Sequence, residues 1–174
     1  TRVQREVPAE ARSIILNVAD ISASDDRGGI ALQSVSLTVG RGEIVGIAGV
    51  AGNGQRELAD VISGMRSMTS GSISVQGENV QSGKARSAIA KGIAHVPEDR
   101  LHTGLASSHS VEDNLALKNY RTMSRFRILK RKSIRAQSTD LIERYDIKTP
   151  GSQTPVRLLS GGNVQKVLLA REFS

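Results

Sequence analysis

The stretch that most limits what this chain can become is GEIVGIAGVAGNGQRELADVISG, residues 42–64. Ile44, Val45, Ile47 and Ala48 make a short apolar run with β-branched residues, which predicts a buried strand. Gly49, Gly52 and Gly54 follow in a G-x-x-x-x-G frame, and Leu58, Val61, Ile62 and Met65 then recur at i, i+3, i+4 and i+7, the pattern of an amphipathic helix. Strand, glycine turn and helix are the setting of a phosphate-binding loop, in which backbone N–H groups and a helix N-terminus cradle an anion. Its side-chain chemistry is altered. The two positions after Gly54 call for Lys, to meet the β/γ-phosphates, and Ser or Thr, to hold Mg²⁺. Gln55 carries no charge and Arg56 has no hydroxyl for a metal, so Asn53 and the three glycines keep the frame while binding of phosphate and metal is weakened.

A chain of 174 residues suits one domain with its own core. Aromatic residues are 2% of it, so that core rests on Ile, Val, Leu and Ala. Thr1 to Arg12 reads as a polar linker; Ile14–Ser22 and Ile30–Val39 alternate as strands about a Ser24–Gly29 turn. Gly71–Gln76 and Ile93–Val96 read as further strands and Lys84–Lys91 as a short helix. Ser110-Val111-Glu112-Asp113 has the form of an N-cap opening a helix through Leu117, and Ile134, Leu141, Ile142 and Tyr145 lie along one stripe of a longer helix ending near Asp146. The first hundred residues are thus expected to be β-rich and the next fifty helical and basic. No Cys supplies a disulfide, no apolar run has the length of a membrane span, and no signal-peptide pattern opens the chain.

The net charge of +7 is concentrated. Eight basic residues and no acidic one lie between Lys118 and Arg135, leaving sixteen basic against seventeen acidic elsewhere. Such a block suits nucleic acid, anionic lipid, a docking face or a solvated surface, and Tyr120 and Phe126 are a thin supply for base stacking. His95, His102 and His109 recur every seven residues, which is no metal spacing without a supporting carboxylate or Cys. At the far end, Ser160, Gly161 and Gly162 precede an apolar stripe of Val164, Val167 and Leu168, so Ser160 is an N-cap and the glycines give an oxyanion close access to backbone N–H groups. The chain stops at Arg171-Glu172-Phe173-Ser174, inside that expected helix, as a fragment of a longer protein would.

The two glycine-bearing stretches are far more specific together. Leu159-Ser160-Gly161-Gly162-Asn163, about a hundred residues after the Gly49–Gly54 loop, resembles the signature of ABC-transporter nucleotide-binding domains. VSLTVGRGEIVGIAGVAGNGQREL, HVPEDRLHTGL and LLSGGNVQK are similar to the second, C-terminal half of fused two-domain ATPases of bacterial simple-sugar and nucleoside importers, a half with an altered Walker A loop. The resemblance implies an α/β P-loop fold of ABC type, a mixed sheet with an antiparallel β subdomain and a helical subdomain, cut before Walker B. It divides the chain into a linker (1–12), a nucleotide-binding core (13–104), a helical subdomain (105–159) that docks on the membrane-spanning permease, and the signature turn with the following helix (160–174).

The same resemblance implies ATP and Mg²⁺ as cofactors, weakly held by this half, which alone is expected to be inactive. Its partners would be the other nucleotide-binding half of the same full-length chain, the permease subunits and, indirectly, an extracellular solute-binding protein, with no nucleic acid; its place would be the cytoplasmic face of the cell membrane. Glu98 stands at the family's Gln-loop position and no aromatic between Ser24 and Gly29 offers a platform for adenine. No catalytic residue and no metal ligand is expected within the chain. Because each ATP of such a dimer lies between one half's Walker A and the other's signature, Ser160, Gly161, Gly162 and Asn163 would serve the partner's ATP. Two other readings compete. A dinucleotide-binding oxidoreductase would need a third glycine where Glu57 stands. A nucleic-acid module built on residues 118–135 would leave both glycine stretches unexplained.

Overall fold

The computed structural model describes residues 13–50, 52–121, 123–125 and 128–174. The linker expected over residues 1–12 lies outside them. The chain divides into two compact units, 1–93 and 94–174.

In the first unit, β1 (Ile14–Ser24) pairs antiparallel with β2 (Ile30–Gly40) on one side and with β3 (Ser70–Val75) on the other, and β4 (Glu78–Asn79) closes a sheet of order β2-β1-β3-β4. Asp25 makes the β1–β2 turn by accepting the Arg27 and Gly29 N–H groups on Oδ1, at 2.8 and 2.7 Å. The alternation of β1 is not continuous. Asp20 has φ 49°, and the register shifts between Val18 and Ile21, so the buried face passes from Val18 to Ile21 and Ala23. One extra residue in the strand re-aims every side chain after it. Against these residues and Leu32, Ile73 and Val75 packs α1 (Gln55–Ile62), through Leu58 and Val61; α2 (Ala85–Ala90) adds Ala88.

Two expected strands are absent. Residues 44–48 and 93–96 belong to no ladder, and the apolar run stands in solvent, with Ile44 97% and Ile47 55% exposed. β-branched composition makes a strand only beside a partner. The turn at Gly40, where its N–H donates to Glu43 Oε2 and its carbonyl accepts the Glu43 N–H, ends the β1–β2 ladder, and no described segment pairs with residues 44–48 beyond it. The helix after the glycine loop is also shorter than its stripe. Gly64, at φ 73°, follows the Ser63 C-cap, the Met65 N–H returns to the Asp60 carbonyl, and Met65 is left exposed beyond the end.

The second unit is helical. α3 (Val111–Ala116), α4 (Arg131–Arg144) and α5 (Gly161–Phe173) enclose Val111, Leu115, Leu141, Val164, Val167, Leu168 and Ala170, joined by Leu105, Ile147 and Val156. Buried Asn114 is fully engaged: Oδ1 accepts the Ala106 N–H, and Nδ2 donates to the Ala106 and Ser110 carbonyls. The expectation of helix throughout the basic block is corrected by a small antiparallel hairpin of β5 (Ser124–Arg125) and β6 (Ile128–Leu129), closed where the Lys130 N–H meets the Met123 carbonyl.

Candidate functional site

The glycine loop sits between β2 and α1. Gly54 is its hinge: it is buried with φ 90°, and a Cβ there would lie 2.7 Å from the Ala31 carbonyl oxygen of β2. Gly52 has the same φ but open space around it, and the Asn53 N–H donates to the Val50 carbonyl. Only glycine meets both demands at position 54. The Gln55 side chain turns back over Gly49 and its Nε2 donates to the Val50 carbonyl at 3.1 Å, so the amide spends a hydrogen on its own loop. The Arg56 side chain is 78% exposed, with its Nε 3.9 Å from Asp60 Oδ2.

Beside the loop opens a cavity of about 500 Å³ lined by Asp25, Ile30, Ala31, Gly52, Asn53, Gly54 and Glu57. Its ionisable side chains are two carboxylates. The Asp25 turn is steadied by Arg66, whose guanidinium donates to the Ser24 carbonyl and to Asp26; the bond to Asp26 holds that carboxyl below the usual aspartate range. The lining thus presents two negative charges and no aromatic ring.

The Leu159–Asn163 turn lies in the second unit. Ser160 is the N-cap of α5, as expected, but its side chain does not bond the helix backbone. Its Oγ accepts a hydrogen bond from Asn163 Nδ2 at 2.9 Å, while Asn163 Oδ1 accepts the Lys148 N–H at 2.8 Å. Lys148 is anchored in turn. Asp146 lies 2.6 Å from Lys148 Nζ and 3.0 Å from Lys166 Nζ, and hydrogen bonds from these two ammonium groups hold its carboxyl at about 2. Gly161 and Gly162 are exposed, and a Cβ on either would meet nothing within 4 Å.

Glu98 is exposed in a bend. Its neighbours in the HVPEDRLHTGL stretch have structural roles. Asp99 caps the π turn Arg100–Gly104 by accepting the Leu101 and His102 N–H groups, Arg100 reaches Gln165 of α5, and Gly104 packs where a Cβ would press on Leu168 and Pro97. The basic block acquires acidic partners from outside its own sequence. Lys118 bonds Glu172, Arg131 bonds Asp113, and Arg135 lies 3.4 Å from buried Glu112. Burial pushes the Glu172 carboxyl up, but the bonds from Lys118 and the His95 N–H, with the charge of Arg171, outweigh it and hold it below the ordinary glutamate value. Among the described residues no group of His, Cys, Asp and Glu could hold a metal ion, and no helix is long and apolar enough to cross a membrane.

Residues 32–174 match the family described as ABC transporter. The chain belongs to that family. It is 43% identical to the glucose import ATP-binding protein of Haloferax volcanii over 98% of its length, and 37% identical to the guanosine import ATP-binding protein NupO of Bacillus subtilis over 95%. The chain spans about a third of these relatives, 31% and 33% of their lengths. Among solved structures, a nucleotide-free ATP-binding cassette from an ABC transporter matches 92% of the chain and 64% of its own, at TM-score 0.70 and 19% identity. A dimeric cassette in a post-hydrolysis state, bound to ADP and Pi, matches 91% of the chain and 69% of its own at TM-score 0.69 and 18% identity. The fold is that of an ABC-type P-loop NTPase, with the antiparallel sheet and the helices described above.

Proposed function

We propose that this chain is the C-terminal nucleotide-binding half of a fused two-domain ATPase subunit that drives import of a sugar or nucleoside. In this role its 160–163 turn serves the ATP gripped by the other half, and its own Walker A loop is degenerate. The observation that carries this division is Gln55, whose amide is bonded to the Val50 carbonyl where a P-loop lysine would face phosphate, beside the carboxylates of Asp25 and Glu57. At the other site Ser160, Gly161 and Gly162 stand exposed at the N-terminus of α5, a helix of thirteen residues whose dipole favours negative charge there. The names of the relatives, import proteins for glucose and guanosine, support the solute class.

On this reading ATP and Mg²⁺ belong mainly to the partner half. Gly49, Gly52, Asn53, Gly54, Gln55 and Arg56 hold nucleotide weakly or not at all, and Glu98 takes the Gln-loop position. Residues 13–104 form the nucleotide-binding core and 105–159 the helical subdomain, which rests on the permease at the cytoplasmic face of the membrane. A solute-binding protein is engaged only through the permease. The nucleic-acid reading is weaker, because at least three of the eight basic residues in 118–135 are paired with carboxylates of the same unit. The oxidoreductase reading puts Glu57 where a pyrophosphate would pass.

The test is ATP turnover by the full-length subunit reconstituted with its permease. Ser160→Ala should cost ~10²–10³ in rate, the usual loss for one preorganised donor, and Gly161→Asp should be as damaging through repulsion of the γ-phosphate. The open space at Gly161 makes misfolding a poor explanation for that loss. Gln55→Ala should be mild. Equal damage from Gln55→Ala and Ser160→Ala would assign catalysis to the altered loop and defeat the proposal.

A further inference from the structure

The second unit contains two serine N-caps that differ in one respect. At α3 the residue three places on is Asp113, and Ser110 Oγ both accepts the Asp113 N–H at 3.1 Å and donates its proton to Asp113 Oδ2 at 2.6 Å. The hydroxyl proton is consumed inside the protein. At α5 the residue three places on is Asn163, and the direction is reversed: the amide donates to Ser160 Oγ. A hydroxyl has one proton to give and two lone pairs to fill. With a lone pair occupied by Asn163, and no acceptor for its proton among the described residues, Ser160 keeps that proton for a group outside the chain.

The orientation of Asn163 is itself determined. An amide can present oxygen or NH₂ to either side, and its neighbours decide which. The Lys148 backbone N–H is a donor and demands the oxygen, which leaves NH₂ for Ser160. The segment that carries the Lys148 N–H is tied to α5 by Lys166, whose ammonium donates to the Asp146 carbonyl and carboxylate, and Lys148 pairs with the same carboxylate. The Asp146–Lys148 segment and α5 thus hold the amide from both ends.

We propose that Asn163 is a positioning residue: by presenting a donor to Ser160, it reserves the serine proton for the anion that the turn receives. The inference rests on the reading of Ser160 given above and adds the residue that makes its hydroxyl a donor. It predicts that Asn163→Asp, which changes an amide to a carboxylate of nearly the same shape, converts this turn into a copy of the Ser110–Asp113 arrangement. Ser160 then donates inward and is lost to the ligand.

The experiment compares Ser160→Ala, Asn163→Asp and the double variant in ATP turnover by the full-length subunit with its permease, with melting of the 174-residue chain as the control for folding. Asn163→Asp should reduce turnover at least as far as Ser160→Ala does, by ~10²–10³ or more, with a melting temperature unchanged or raised, since a carboxylate in the first turn favours the helix. The double variant should be no worse than Asn163→Asp alone, because any charge repulsion is already present in that variant and both changes remove the same hydroxyl. Multiplying losses would show that Asn163 acts independently of Ser160 and would overturn the inference, as would parental turnover in Asn163→Asp beside a damaged Ser160→Ala. Parental turnover in Ser160→Ala would instead remove the underlying reading, and this inference with it.

Discussion

Gly54 and Gly52 share a backbone angle but not a neighbourhood, and their substitutions separate two effects at the scale of one residue. Alanine at Gly52 meets only the cost of a left-handed φ, about 1–2 kcal/mol. Alanine at Gly54 has in addition its Cβ 2.7 Å from the Ala31 carbonyl, which belongs to β2 and cannot give way without disturbing the β1–β2 ladder. Gly54→Ala should therefore lower the melting temperature more than Gly52→Ala, and equal shifts would mean that β2 yields freely. The need for Gly54 was legible in the spacing of the glycines, but not what it rests on, because Ala31 lies on another strand. The Ser160–Asn163 bond was hidden for a similar reason. Its direction is set by the Lys148 N–H, fifteen residues away, and no local pattern records which end of an amide faces which neighbour.

At the scale of elements, the legible parts are those whose causes are local. Ser110 capped α3 where the S-x-x-D pattern placed it, and the stripe of Ile134 and Leu141 is buried on α4. The alternation of β1 was visible only as far as Val18, because the shift at Asp20 depends on how β2 and β3 pair with it. Residues 44–48 carry the composition of a strand without a described partner. The join between α4 and α5 offers a pH test. Lys148 and Lys166 lower the Asp146 carboxyl from 3.8 to about 2 in the folded chain. A depressed folded value stabilises above the unfolded value and loses that contribution as pH falls through the folded one. The Asp146→Asn variant should thus melt below the parent at pH 6 and approach it between pH 4 and pH 2, seen as converging thermal melts; a gap that persists at pH 2 would contradict the assignment.

For the whole molecule, two units with different chemistry should not make an enzyme unaided. On the proposed reading the altered loop and the 160–163 turn serve two different ATP sites, so neither is complete within one copy of the chain. We therefore expect no phosphate release from MgATP above a protein-free blank, and binding no tighter than the high-micromolar range, weaker than the roughly −8 kcal/mol of a micromolar site. Submicromolar affinity by calorimetry would refute this, as would turnover abolished by Gly54→Ala. The exposed apolar run at 44–50 bears on the behaviour of the chain in a tube. Ile44, Ile47 and Val50 are exposed on backbone that pairs with no other strand among the described residues, an arrangement that invites pairing between molecules. The charge of +7 keeps the molecules apart only while it is felt across the gap between them. At 0.15 M salt that reach is about 8 Å and at 1 M about 3 Å. Salt, the ordinary remedy for a basic protein that clings to its surroundings, is here the agent that lets one molecule find the next.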